Sequence, residues 1–202
     1  MLTAFTASLV LITVSELGDK TFFISVILAM RHRRRWVFVG AVTALALMTA
    51  LSVLVGQAAT LMPQHILKWI EISLFIIFGL KLLYQASRMP KTGCASEEQE
   101  AAAAVEKAEQ TRNSTPFAVI AETFGLTFIA EWGDRTQIAT IALAAANPPI
   151  GVVLGAVLGH AICAAIAVSS GRFICGRISE RTLTAAGGGL FLLFAVVALR
   201  SS

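Results

Sequence analysis

Apolar residues fall in six runs along this chain: 4–29, 36–59, 66–84, 116–146, 150–171 and 183–199. A hydrocarbon core about 30 Å thick takes roughly 20 helical residues. Five runs approach or exceed that length, and the sixth is slightly short. The pattern therefore predicts an all-α integral membrane protein with six transmembrane helices. The first and fourth runs are longer than a straight span needs, and each contains charged residues around a glycine, Gly18 or Gly133. Glycine favours a local break in a membrane helix, and such breaks occur where a site is lined. The last run contains Gly187-Gly188-Gly189, small residues suited to close helix contact.

The polar connections alternate in charge. Arg31, Arg33, Arg34 and Arg35 follow the first run. Arg88, Lys91, Lys107 and Arg112 follow the third, and Arg172, Arg177 and Arg181 follow the fifth. The second and fourth connections, Thr60 to His65 and Asn147-Pro148-Pro149, carry no Lys or Arg; Lys68 lies just inside the third run, toward that same side. The positive-inside rule puts the odd connections in the cytoplasm and both termini outside, with Arg200 a mild exception. Residues 86–115 form the extended polar stretch, with Glu97, Glu98, Glu100, Glu106 and Glu109 beside four alanines. That composition suits either a short cytosolic helix or a disordered tether, with an acidic cation-collecting loop as a further reading. The expected organisation is a first three-helix unit at 1–85, a cytoplasmic linker at 86–115 and a second unit at 116–202.

Composition agrees with the membrane reading. The chain is 56% hydrophobic and 14% charged, against about 25% charged in soluble domains, and its mean hydropathy is +0.78. The net charge of +4 is gathered in particular loops, so it is a topology signal and no sign of a nucleic-acid partner. Cys94, Cys163 and Cys175 make no CxxC pair, which argues against a zinc site or a disulfide framework. The first apolar run has no basic stretch before it and continues through the charged residues, unlike a cleaved signal peptide.

Those charged residues occur twice in one pattern. Glu16-Leu17-Gly18-Asp19-Lys20-Thr21 is matched by Glu131-Trp132-Gly133-Asp134-Arg135-Thr136, at an offset of 115 residues. The offset also aligns Gly40 with Gly155 and Gly56 with Gly171. With one further residue inserted, residues 74–78 (LFIIF) align with 190–194 (LFLLF). Coincidence among apolar residues accounts for the latter matches alone, but not for two charged motifs in register with them. Each unit has three spans, an odd number, so the second enters the membrane from the opposite side. This predicts two inverted three-helix repeats, an arrangement of secondary transporters with a site at the repeat interface.

A carboxylate at a membrane helix centre costs roughly 2.5–3.5 kcal/mol on insertion scales. Four of them in duplicate imply a use. On a helix, Glu16 and Asp19, like Glu131 and Asp134, share a face. Two facing pairs put up to four carboxylates around one point, a cluster that must bind a cation or take up protons. The same oxygens cannot do both at once, which couples cation to proton. The alternative is that each acid only pairs with its basic neighbour in the motif, Lys20 or Arg135. Lys20 and Arg135 are expected to balance charge or anchor the broken helices. Carboxylate and hydroxyl oxygens suit Mg²⁺, Ca²⁺ or Mn²⁺, and Thr21, Thr136 and Gln137 add neutral oxygens. His160 aligns with Leu45 and reads as a packed polar residue rather than a ligand. Glu122 is either a proton carrier or a group near the cytoplasmic surface, while Glu71 and Lys81 suit helix contacts or the interface.

The paired motif resembles the small cation-transporter family defined by two E-x-G-D-(Lys/Arg)-(Ser/Thr) motifs, which includes Golgi manganese/calcium transporters and bacterial manganese exporters. The resemblance covers essentially the whole chain, and both motifs match without departure. It implies export of Mn²⁺ from the cytoplasm, with Ca²⁺ the alternative, in exchange for H⁺ across a bacterial plasma membrane. Spacing alone leaves Mn²⁺ and Ca²⁺ open. The partners so implied are a divalent cation, protons and the lipid bilayer; no oligomeric state and no cofactor follow. A divalent-cation channel with acidic rings is the competing class. An intramembrane enzyme is disfavoured, since no nucleophile, nucleotide loop or cofactor motif accompanies the acids.

Overall fold

The computed structural model describes residues 1–89, 95–108, 115–175 and 179–200. Lys91, Cys94, Glu109, Arg112 and Arg177, used in the readings above, lie outside the described residues, as do the surroundings of Gly171 and the side chains of Arg172 and Cys175. Apart from short turns, the described residues are helical, in nine segments: α1 Leu2–Glu16, α2 Lys20–Arg31, α3 Arg34–Ala59, α4 Gln64–Arg88, α5 Ala95–Ala108, α6 Pro116–Glu131, α7 Arg135–Ala146, α8 Pro149–Cys175 and α9 Glu180–Arg200. Among them, α3, α8 and α9 each contain a stretch long and apolar enough to cross a membrane.

The first and fourth apolar runs are each split at the motif. With 15 and 12 residues, α1 and α2 are about 23 and 18 Å long at 1.5 Å per residue. Neither reaches across a core of about 30 Å, but end to end they do. The pair α6 and α7, with 16 and 12 residues, repeats this division. Several hydroxyls inside the apolar helices are satisfied locally. Ser8, Ser52, Thr123 and Thr140 each donate to the carbonyl four residues back, at 2.7–2.8 Å. The start of α6 is set by Thr115, whose Oγ1 accepts from Ala118 N at 3.3 Å, and by Pro116 at the first position.

Packing follows a pattern of exchange between the halves. Helix α1 packs along α8, and α6 packs along α3; α2 meets α8 as α7 meets α3; α3 meets α8, and α4 meets α9. The aligned Gly40 and Gly155 are contact points. A Cβ at Gly40 would lie 2.7 Å from the Ile120 carbonyl oxygen of α6, and one at Gly155 would collide with the Phe5 carbonyl of α1. The aligned phenylalanines meet each other: Phe75 and Phe191 lie edge to face at 5.8 Å, flanked by Phe78 and Phe194. Close backbone approach at small residues and dispersion between rings hold helices together where lipid offers no hydrophobic drive.

Helix α5 lies in the linker. It is neither a disordered tether nor an isolated helix, because it docks on α2. Ala101 and Val105 are fully buried in a cluster with Phe22, Phe23 and Val26. Lys20 Nζ reaches Glu100 Oε2 at 3.2 Å. Both groups are more than a third exposed, so burial of the alanine–valine face, rather than this ion pair, carries the docking.

Candidate cation site

Each motif breaks its helix by the same backbone geometry. Glu16 ends α1, and Leu17 (φ −65°, ψ 116°) and Gly18 (φ +79°) follow. Asp19 N then donates to Glu16 O at 3.2 Å. These are the angles and hydrogen bond of a type II turn, which demands positive φ at its third residue. The second motif matches: Trp132 is at φ −65°, ψ 111°, Gly133 at φ +82°, and Asp134 N donates to Glu131 O at 3.1 Å. A Cβ at Gly18 would sit 2.6 Å from Leu183, whereas Gly133 faces open space. Only backbone conformation demands glycine at 133.

This geometry corrects the helix-face argument. Glu and Asp of each motif are separated by a turn, not carried on one helical face. The glutamate ends one helix, and the aspartate is the N-cap of the next. The turn opens a gap between helix ends, and the carboxylates enter it from two directions.

Glu16 and Glu131 are both 2% exposed and so nearly sealed from solvent. Glu16, Asp19 and Glu131 each offer a carboxylate oxygen within 4.8 Å of the others, a spacing that one cation can bridge. The threonine of each motif supports its own glutamate. Thr21 Oγ1 donates to Glu16 Oε2 at 3.2 Å, and Thr136 Oγ1 is 3.1 Å from Glu131 Oε2. Thus two of the neutral oxygens predicted from sequence stand at the cluster.

The repeats differ at their aspartates. Asp134 Oδ2 is turned to the start of α7, where it accepts from Thr136 N at 3.4 Å and lies 3.3 Å from Thr136 Oγ1; it stands outside the three-carboxylate group. Asp19 is instead drawn across the interface by Arg135, whose Nη2 donates to Oδ1 at 2.9 Å and approaches Ser15 O at 3.5 Å. So Arg135 anchors one broken span to the other, while Lys20 points to α5. Gln137 is occupied elsewhere: its Oε1 accepts from Gly133 N at 2.7 Å and its Nε2 lies 2.9 Å from Met48 Sδ. It braces the second turn rather than facing the carboxylates. Glu71 is buried beside Asn147, whose Nδ2 donates to it at 3.3 Å, far along the chain from either motif.

His160 was read from the sequence as a packed polar residue, but it faces this cluster. Its Nδ1 is 4.0 Å from Glu16 Oε1, with the imidazole almost wholly buried. An imidazole alone in an apolar run is the signal that pointed here; its lack of a counterpart in the first half led away. A cavity of about 80 Å³ leads from Asp19 and Arg135 past Gln85 of α4, Met89 just beyond it, Glu97 of α5 and Thr184 of α9. It opens on the side of the 86–115 linker.

Residues 4–90 and 119–202, nearly all of both halves, match the family described as divalent cation/proton antiporter GDT1. The chain belongs to that family. The GDT1 family is one of membrane transporters, not of enzymes. A GDT1-like protein of Synechocystis is 58% identical over 199 residues, covering 98% of this chain and 97% of its own length. GDT1-like protein 3 of Arabidopsis thaliana is 41% identical, over 94% of this chain and 68% of its own. The chloroplastic PAM71-homolog of the same plant is 38% identical over 95% of this chain, which spans 57% of that longer protein. No solved structure matches.

Proposed function

We propose that this GDT1 member is a secondary transporter that exports Mn²⁺ from the cytoplasm in exchange for H⁺, with Ca²⁺ the competing substrate. The observation that carries the reading is the meeting of Glu16, Asp19 and Glu131 at the junction of two broken helices. In this reading those three hold the cation, and Asp134, Thr21 and Thr136 complete the oxygen shell, while Gln137 braces the second turn. The same oxygens bind either cation or protons, so emptying the site of metal on the far side favours proton uptake there. Return of the protonated site then releases H⁺ inside.

The six-span inverted repeat belongs to the same proposal, with residues 1–85 and 116–202 as its halves and a plasma membrane as its setting. It is supported by the exchange of packing partners between halves, by the meeting of Phe75 with its aligned Phe191, and by identical turns at residues 16–19 and 131–134. The arginine-rich connections support a cytoplasmic linker side, and on that reading the cavity beside Asp19 opens inward. In a cysteine-free background, Arg33→Cys is expected to label only from the cytoplasm and Pro148→Cys only from outside. Labelling of both from one side would remove the inverted topology.

Proteoliposome flux tests the transport reading. Mn²⁺ movement is expected to accelerate when the opposite compartment is made acidic, and to carry protons the other way. The sign follows from exchange: an inward proton gradient drives metal outward, so raising external pH weakens export. Flux indifferent to the pH gradient and to protonophore at clamped voltage would favour a uniporter or channel. Faster Ca²⁺ than Mn²⁺ flux would reassign the substrate.

A further inference from the structure

We propose that His160 is a nitrogen ligand of the transported cation and biases the site toward Mn²⁺ over Ca²⁺. The inference rests on the cation site proposed above and goes beyond its carboxylates. Two buried atoms carry it. Glu16 Oε1 and His160 Nδ1 lie 4.0 Å apart, and neither has a hydrogen-bond partner among the described residues. The other Glu16 oxygen is engaged by Thr21, which leaves Oε1 aimed at the imidazole. Two buried polar atoms facing each other without a bond are costly unless something sits between them.

The spacing suits a metal ion. With bonds of about 2.2 Å, between those of Mg²⁺ and Ca²⁺, neighbouring ligands of a six-coordinate ion are about 3.1 Å apart and opposite ones about 4.4 Å. A separation of 4.0 Å falls between these, so a small side-chain rotation brings both atoms onto one cation. Cys163, one turn along α8, is not a rival ligand, because its Sγ already donates to Thr13 O at 3.2 Å. At the position aligned with His160, the first half has Leu45, which is buried. The site is thereby paired in its glutamates, Glu16 and Glu131, and one-sided in its nitrogen.

That nitrogen supplies what oxygens alone cannot. Ca²⁺ is held by oxygen ligands, whereas imidazole binds divalent transition metals. A carboxylate cluster with one imidazole therefore favours Mn²⁺ over Ca²⁺, the choice that motif spacing leaves open.

Pulsed electron paramagnetic resonance on the unaltered, detergent-purified chain, carrying no histidine tag and loaded with one equivalent of Mn²⁺, tests this directly. Bound Mn²⁺ is expected to show nitrogen-14 coupling from a coordinated imidazole, and His160→Asn is expected to remove it. His160→Asn sets an amide near the position of Nδ1. It should lower the ratio of Mn²⁺ to Ca²⁺ flux by at least the roughly tenfold that loss of even an outer-sphere partner costs a metal site. Mn²⁺ bound in a Glu16-dependent manner but without nitrogen coupling would overturn the His160 assignment and leave the carboxylate site standing; a water bridging the two atoms gives that result. Mn²⁺ binding that is absent, or unchanged by Glu16→Gln with Glu131→Gln, would overturn both.

Discussion

Glu16→Gln and Glu131→Gln are each expected to reduce divalent-cation flux by about a hundredfold or more, the upper range seen when a metal site loses a supporting group, while the protein stays folded. The amide keeps the length of the side chain. Its oxygen still accepts from Thr21 or Thr136, which now donate at 3.2 and 3.1 Å. What disappears is one negative charge in a group of three carboxylates. A divalent ion entering a buried site must recover its hydration energy from such charges, and a neutral amide does not replace one. Relief of repulsion should leave the metal-free variant as stable as the parent, or more so. Proteoliposome flux beside a thermal melt separates the two effects. A variant with full flux would remove that glutamate from the site. Thr21→Ala and Thr136→Ala lose a neutral oxygen of the shell and its hydrogen bond to a charged group, the latter about 1.5–3 kcal/mol, but no charge, and should slow transport without ending it.

Much of this arrangement was legible in the chain, for physical reasons that also mark where reading fails. Charges inside apolar runs are expensive enough to be informative, so both motifs stood out. A glycine between two charged residues pointed to a break, and Gly18 and Gly133 are at positive φ. The internal offset aligned Phe75 with Phe191, but that these two rings meet is set by the fold and not by the alignment. Helical periodicity then misled. It put Glu16 and Asp19 on one face, whereas they are the two ends of a four-residue turn, and turn type depends on backbone angles that composition does not specify. The unequal fates of Asp19 and Asp134 were also hidden, because Arg135 selects a partner 116 residues away through tertiary packing. The alanines of 95–108 left a helix and a disordered tether both open, and gave no sign of the seat against Phe22 and Phe23. His160 looked like packing because its aligned neighbour is leucine; only the fold sets it opposite Glu16.

Arg135→Gln is expected to cost more stability than loss of any other single contact at the site. The guanidinium is 24% exposed and Asp19 is 11% exposed, at a separation of 2.9 Å. Removing one partner of such a largely buried pair costs roughly 3–5 kcal/mol, because the other charge is left without compensation. Here the stranded Asp19 also faces Glu16 and Glu131, so repulsion adds to desolvation. Two consequences separate this account from simple loss of packing. Mn²⁺ should stabilise Arg135→Gln more than the parent, since the cation supplies the missing positive charge. Asp19→Asn should restore stability to Arg135→Gln, though not transport, because a ligand has been lost as well. Arg135→Lys keeps the charge but not the forked donor geometry, so it should fall between. The double-mutant cycle is read by thermal or denaturant unfolding in detergent. A coupling smaller than about 0.5 kcal/mol, the usual scatter for independent sites, would mean that the Asp19–Arg135 contact does not hold the two broken spans together.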